Sequence, residues 1–136
     1  MLIKEFISET NKNKMISDLL KYYKVGSVKV KQKSMKDHAH YNVDTGTLEL
    51  STKYKTIKNN QIKEFLITIL HEIYHAMDAK KYGWKKFKDM YEMEMNLLST
   101  DGKDVYTDNK YEIEAEKFGQ GIWKTWNRKF KKEGLI

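Results

Sequence analysis

Met15, Ile16, Leu19, Leu20 and Tyr23 recur every three to four residues. An earlier set, Leu2, Ile3, Phe6 and Ile7, has the same period, so the pattern predicts one or two leading helices. From Val25-Gly26 onward the period falls to two. Val28 and Val30 alternate with lysines, and Ala39, Tyr41 and Val43 alternate with His38, His40 and Asn42, as strands do. Asp44-Thr45-Gly46 is a turn signal, and Leu48 and Leu50 resume the alternation over Thr47 to Ser51, so these segments read as a hairpin. After the polar Lys53 to Asn60, the positions Ile62, Phe65, Leu66, Ile69, Leu70, Ile73 and Met77 form one helical stripe that ends near Tyr82-Gly83. This is the expected central buried helix. A second helical segment covers Trp84 to Leu98, a polar loop covers Ser99 to Asn109, and a last helix covers Lys110 to Lys132. Its apolar positions include Ile113, Phe118, Ile122, Trp123 and Trp126, while Gly119 and Gly121 count against an unbroken helix.

A chain of 136 residues with 12% aromatic content has the length of one domain and enough apolar bulk to fold, so residues 1–136 are read as a single α+β domain. No apolar run reaches the roughly 18 residues of a membrane span, and Met-Leu-Ile-Lys-Glu-Phe does not read as an export signal. The expectation is a cytoplasmic protein without membrane contact. With no cysteine, disulfides and thiolate metal sites are excluded, and any metal must be held by His, Asp or Glu. The net charge of +7 raises the question of nucleic acid. Of 26 basic residues, however, only Arg128 is arginine, and the lysines are spread from Lys4 to Lys132, which reads as solvated surface and argues against a nucleic-acid partner.

The central helix carries His71-Glu72-Ile73-Tyr74-His75, the H-E-x-x-H pattern, which shuffling of this composition gives in about 1% of sequences. Residues four apart lie about one turn apart on nearly the same helix face, so both imidazoles can converge on one ion. Glu72 is placed to reach a water on that ion. A zinc ion bound by two imidazoles and a carboxylate acidifies water and polarises a carbonyl, and a neighbouring carboxylate can carry the proton to a leaving amine.

A third protein ligand is needed. The histidine six residues after His75 in the long metzincin pattern is replaced by Lys81, and Tyr82 precedes Gly83 where other small zincins have histidine. A carboxylate of the last helix remains. Glu112 and Glu116 are four apart on one face, so one can bind metal while the other orients a histidine. Glu114, on the opposite side of that helix, is the rival ligand.

His71-Glu72-Ile-Tyr-His75-Ala-Met-Asp78 followed by Glu112-Ile-Glu114-Ala115-Glu116-Lys-Phe118-Gly resembles the small gluzincin metallopeptidases, both minigluzincins and the ImmA/IrrE-type proteins of phages and mobile elements. The chain departs from their pattern in the long interval between His75 and Glu112, and in Gly121-Ile122-Trp123 where Leu-Met-Pro is usual. The resemblance implies a zincin-like domain with a small, mainly antiparallel sheet packed on an active-site helix between flanking helices. It also implies Zn2+ on His71, His75 and Glu112, with Glu72 as catalytic base and Glu116 behind a ligand. The function it implies is zinc-dependent hydrolysis of peptide bonds by a Glu72-activated water, in limited proteolysis of a regulatory protein. The partner is then a peptide or protein substrate.

In zincins an edge strand pairs with extended substrate, and Leu48, Glu49, Leu50 and Ser51 are the candidates for that strand. Tyr106, Tyr111 and His38 compete to stabilise the oxyanion. Met90, Tyr91, Met93 and Met95 read as core or groove packing, and Asp78 as a partner for Lys81 or a buttress to the site. The rival to an enzyme is an inactive zincin scaffold that binds protein or nucleic acid.

Overall fold

Ser8 sets where the first helix begins. Its side chain accepts the Asn11 amide hydrogen at 3.1 Å, so helix α1 spans Glu9–Tyr22 and the chain before it is left extended. In the computed structural model, which describes residues 6–136, Phe6–Ile7 therefore form strand β1 instead of a helical turn. Leu2 and Ile3, assigned to the same helix by their spacing, lie outside the described residues. Strand β1 pairs antiparallel with strand β5 (Ile57–Lys58), which lies in the segment 53–60 that its polarity marks as loop. Ile7 and Ile57 are the buried residues of this short ladder.

The main sheet has β2 (Lys29–Lys33), β3 (Ala39–Asn42) and β4 (Thr47–Ser51) in the order β2-β4-β3. The hairpin forms in the expected place, with Ala39 opposite Leu50 and Asn42 opposite Thr47. Strand β2 adds to the other side of β4 in parallel, so the sheet is mixed. The loop after β2 crosses the end of β4, where the Ser51 amide donates to the His38 carbonyl at 2.9 Å. Strand β4 is the middle strand and is buried over Leu48–Ser51, and β3 keeps one unpaired edge.

Helix α2 (Ile62–Tyr82) packs against the sheet and carries most of the core, including Phe65, Leu66, Ile69, Leu70 and Ile73, all without solvent exposure. Gly83, at φ 85°, reverses the chain into helix α3 (Trp84–Thr100), a conformation that residues with a Cβ adopt at a cost. Helix α4 (Lys110–Lys132) is continuous through both glycines. Trp126 docks it to α1 by donating its indole N–H to the Tyr23 hydroxyl at 2.9 Å. Ile113, grouped with the apolar positions of α4 by its residue type, points outward at 39% exposure, because the face that meets α2 is Glu112, Ala115 and Gly119. Among the described residues no helix is long and apolar enough to cross a membrane.

At Gly119, α4 passes close to the backbone of α2. A Cβ there would lie 2.8 Å from the Ile67 carbonyl oxygen, whereas nothing approaches within 4 Å of one on Gly121. Gly119→Ala is expected to lower the free energy of unfolding by about 1–3 kcal/mol, the usual cost of overpacking. Gly121→Ala is expected to raise it by about 0.5–1 kcal/mol. Denaturant titration of both variants checks the pair; equal effects would contradict the close crossing.

Candidate metal centre

The small residues at the crossing bring two glutamates of α4 against the histidines of α2. Asn109 caps α4 by accepting the Tyr111 amide hydrogen at 2.9 Å, which puts Glu112 in the first helical turn, where the helix dipole favours a negative charge. Four residues on, Glu116 lies one turn further along the same side. On α2, His71 and His75 present their rings at a centroid distance of 4.9 Å.

The rings and Glu112 converge on one point. His71 Nε2 and His75 Nε2 each lie 2.8 Å from Glu112 Oε1, and all three residues are buried. Glu116 Oε2 accepts the His71 Nδ1–H at 3.0 Å, which fixes the ring with Nε2 facing the cluster. His75 Nδ1 has no hydrogen-bond partner among the protein atoms. His71, His75 and Glu112 each offer a ligand atom, all within 4.8 Å of one another, and form a buried group able to hold a metal ion. Two imidazole nitrogens and one carboxylate oxygen are donors that suit zinc and leave a further coordination position open. Glu114 is exposed, so Glu112 is the carboxylate that joins the histidines.

The electrostatics follow from burial and from the mutual charges. Burial opposes ionisation of Glu112, but hydrogen bonds from His71 and His75 outweigh it and hold the carboxyl well below the usual carboxylate range. For His71, burial disfavours the charged ring, yet the Glu112 hydrogen bond and the charges of Glu72 and Glu112 leave its pKa raised. Glu72 is 6% exposed and its carboxyl is pushed up by burial, against the pull of both histidines. Its Oε1 lies 4.0 Å from His71 Nε2.

Two cavities meet at this cluster, and Glu72, Tyr106, Asp37 and Ala39 line both. The Tyr106 loop is ordered by Asp104, whose Oδ1 accepts the Tyr106 and Thr107 amide hydrogens at 2.8 and 2.7 Å. Partial desolvation of a side chain that stays 55% exposed, and then the charges of Glu112 and Glu72, push the Tyr106 phenol above its ordinary value.

Not every candidate gathers here. Tyr111 is buried between Phe87 and Tyr91, with ring centroids at 5.6 and 6.0 Å, and lines neither cavity. His38 lines the wider cavity but is engaged by Glu64 at 3.2 Å and the Tyr54 hydroxyl at 3.4 Å. Leu48, Glu49, Leu50 and Ser51 cannot take up a substrate strand, because β4 is paired on both sides; the free edge that borders the cavities is that of β3, through Ala39. Asp78 Oδ2 is buried without a hydrogen-bond partner, and burial raises the pKa of this carboxyl against the charges of His75 and Lys81. Tyr91, read as packing, instead donates its hydroxyl to Glu112 Oε2, leaving Oε1 to the histidines. Its only sequence signal was its place between Phe87 and Met95, each four residues away on one face of α3.

Comparisons with protein-family models, with curated proteins and with solved structures find no match. The metal-binding assignment therefore rests on the donor geometry, and substitution tests it. Glu112→Ala is expected to weaken zinc binding by at least about tenfold, on the scale of losing a group that shapes a metal site, and Glu114→Ala to leave it unchanged. Competition with a chromogenic chelator measures both; unaltered affinity in Glu112→Ala would remove it from the ligand set.

Proposed function

We propose that the chain is a zinc-dependent metallopeptidase of the small gluzincin type. The observation that carries this reading is the convergence of His71 Nε2 and His75 Nε2 on Glu112 Oε1, beside a buried Glu72 that faces two cavities. When bound, zinc supplies a Lewis acid that polarises a carbonyl and acidifies water.

The protein residues divide the remaining work. Glu72, with its pKa raised by burial, takes the proton of the attacking water and returns it to the leaving amine. Tyr106 keeps its proton and donates a hydrogen bond to the oxyanion that develops on the carbonyl. Glu116 holds the His71 ring in one tautomer, and Tyr91 occupies the Glu112 oxygen that does not face the histidines. The free edge of β3 offers main-chain groups to an extended peptide, which positions it without reading its sequence.

The test is Glu72→Gln, which removes the base and keeps the side chain's shape. Zinc-loaded wild type is expected to cleave members of a peptide library, scored by mass spectrometry. The variant is expected to bind zinc equally and to lose at least roughly 100-fold in rate, the low end for a positioned acid–base group. Equal cleavage by both proteins would contradict the role of Glu72, and absence of zinc binding by wild type would end the peptidase reading.

A further inference from the structure

A separate cavity of about 430 Å³ lies between α1 and the β2 side of the sheet and shares no lining residue with the two at the metal-binding cluster. One of its lining residues is Lys12, a lysine that is only 2% exposed. The Lys12 ammonium donates to the Tyr54 and Lys55 carbonyls, both at 3.3 Å, so its bonded partners are neutral and occupy two of its three N–H donors. Burial pulls its pKa below the ordinary lysine value, and the opposite charge of Glu9 only partly restores it. On β2, Gln32 lines the same cavity, and its Nε2 is buried with no hydrogen-bond partner among the protein atoms. Gln32 stands opposite Leu50 in the β2–β4 register, and the carbonyls that hold Lys12 belong to the helical turn just after β4, so both donors serve the same end of the sheet. Among the described residues of the lining there is a second lysine, Lys21, and no Asp or Glu.

A buried cation bonded only to neutral groups and a buried amide donor without an acceptor both cost free energy. One anion relieves both. The rest of the lining limits which anion, because Ile16, Leu20, Val30 and Leu50 make an apolar wall beside the two donors. Phosphate would have to lose the water around a double charge and set most of its oxygens against hydrocarbon, with one buried lysine in return. A carboxylate has one charge and two oxygens, which matches one cation and one amide. We propose that this cavity is a binding site for a monocarboxylate with a short apolar body, its oxygens held by Lys12 and Gln32 and its hydrocarbon packed on the apolar wall. The site is independent of the metal centre and of the peptidase reading.

The test titrates the full chain at neutral pH with hexanoate, with hexanol as its uncharged counterpart and with inorganic phosphate, and follows backbone amide signals by NMR. Hexanoate is expected to shift the signals of α1 and β2 saturably and to bind at least about tenfold more tightly than hexanol, on the scale of one hydrogen bond to a charged group. Phosphate is expected to bind at least about tenfold more weakly than hexanoate. Lys12→Met, which keeps an apolar stem and removes the charge, is expected to lose at least about tenfold in hexanoate affinity with hexanol unchanged. Should that variant fail to fold, Gln32→Leu decides, with an expected loss of at least about threefold for hexanoate alone. Absence of saturable shifts in α1 and β2, or equal affinity for hexanoate and hexanol, would overturn the site. Phosphate binding as tightly as hexanoate would overturn the carboxylate assignment, and unchanged hexanoate affinity in the folded variants would remove Lys12 and Gln32 from it.

Discussion

A carboxylate that is 7% exposed stays ionised only if its surroundings replace the water it has lost. Glu112 gets that replacement from two imidazole nitrogens, the Tyr91 hydroxyl and the amino-terminal turn of its own helix. Each of those groups comes from a different place in the chain, so the buried charge ties α2, α3 and α4 together at one point. A group of this kind is a weak source of stability, since desolvation offsets much of the attraction. What the arrangement supplies is position. Three donor atoms sit within a few ångströms, on helices whose rigidity comes from the apolar core beneath them.

That position depends on how closely two helices cross. Ala115 and Gly119 leave α4 without bulk on the face that meets α2, and the Ile67 carbonyl occupies the space a larger residue would need. Glu112 and Glu116, flanking Ala115 on that side, thereby reach His71 from both ends of its ring. The sheet has a complementary part. Strand β4, enclosed by its neighbours, fixes the core, while β3 faces the cavities with an edge free for a third partner.

Much of this was legible in the sequence because local periodicity and motif spacing carry it. The helix of His71 and His75, the hairpin, the helix of Glu112 and the α+β class follow from patterns within a few turns of chain. Glu112 and Glu116 were legible as a pair from their spacing. The rest depended on contacts that no local pattern encodes. Phe6 and Ile7 fit a helix until the Ser8 cap and the partner strand at Ile57 are known. The placing of β2 beside β4, which turns Leu48–Ser51 from edge to centre, is a decision of topology. Gly119 counts against a helix by propensity and is required there by packing. Ile113 has a core residue's chemistry, but α4 turns its other face inward, and Tyr91 had no mark to separate it from the aromatic residues packed around it.

His71, His75 and Glu112 are arranged to hold one cation between two helices. Anomalous diffraction at the zinc edge from crystals grown with one equivalent of zinc measures this directly. A single strong peak is expected within roughly 2.0–2.2 Å of His71 Nε2, His75 Nε2 and a Glu112 oxygen. A peak elsewhere on the chain, or no peak at this cluster while the protein is folded, would contradict it.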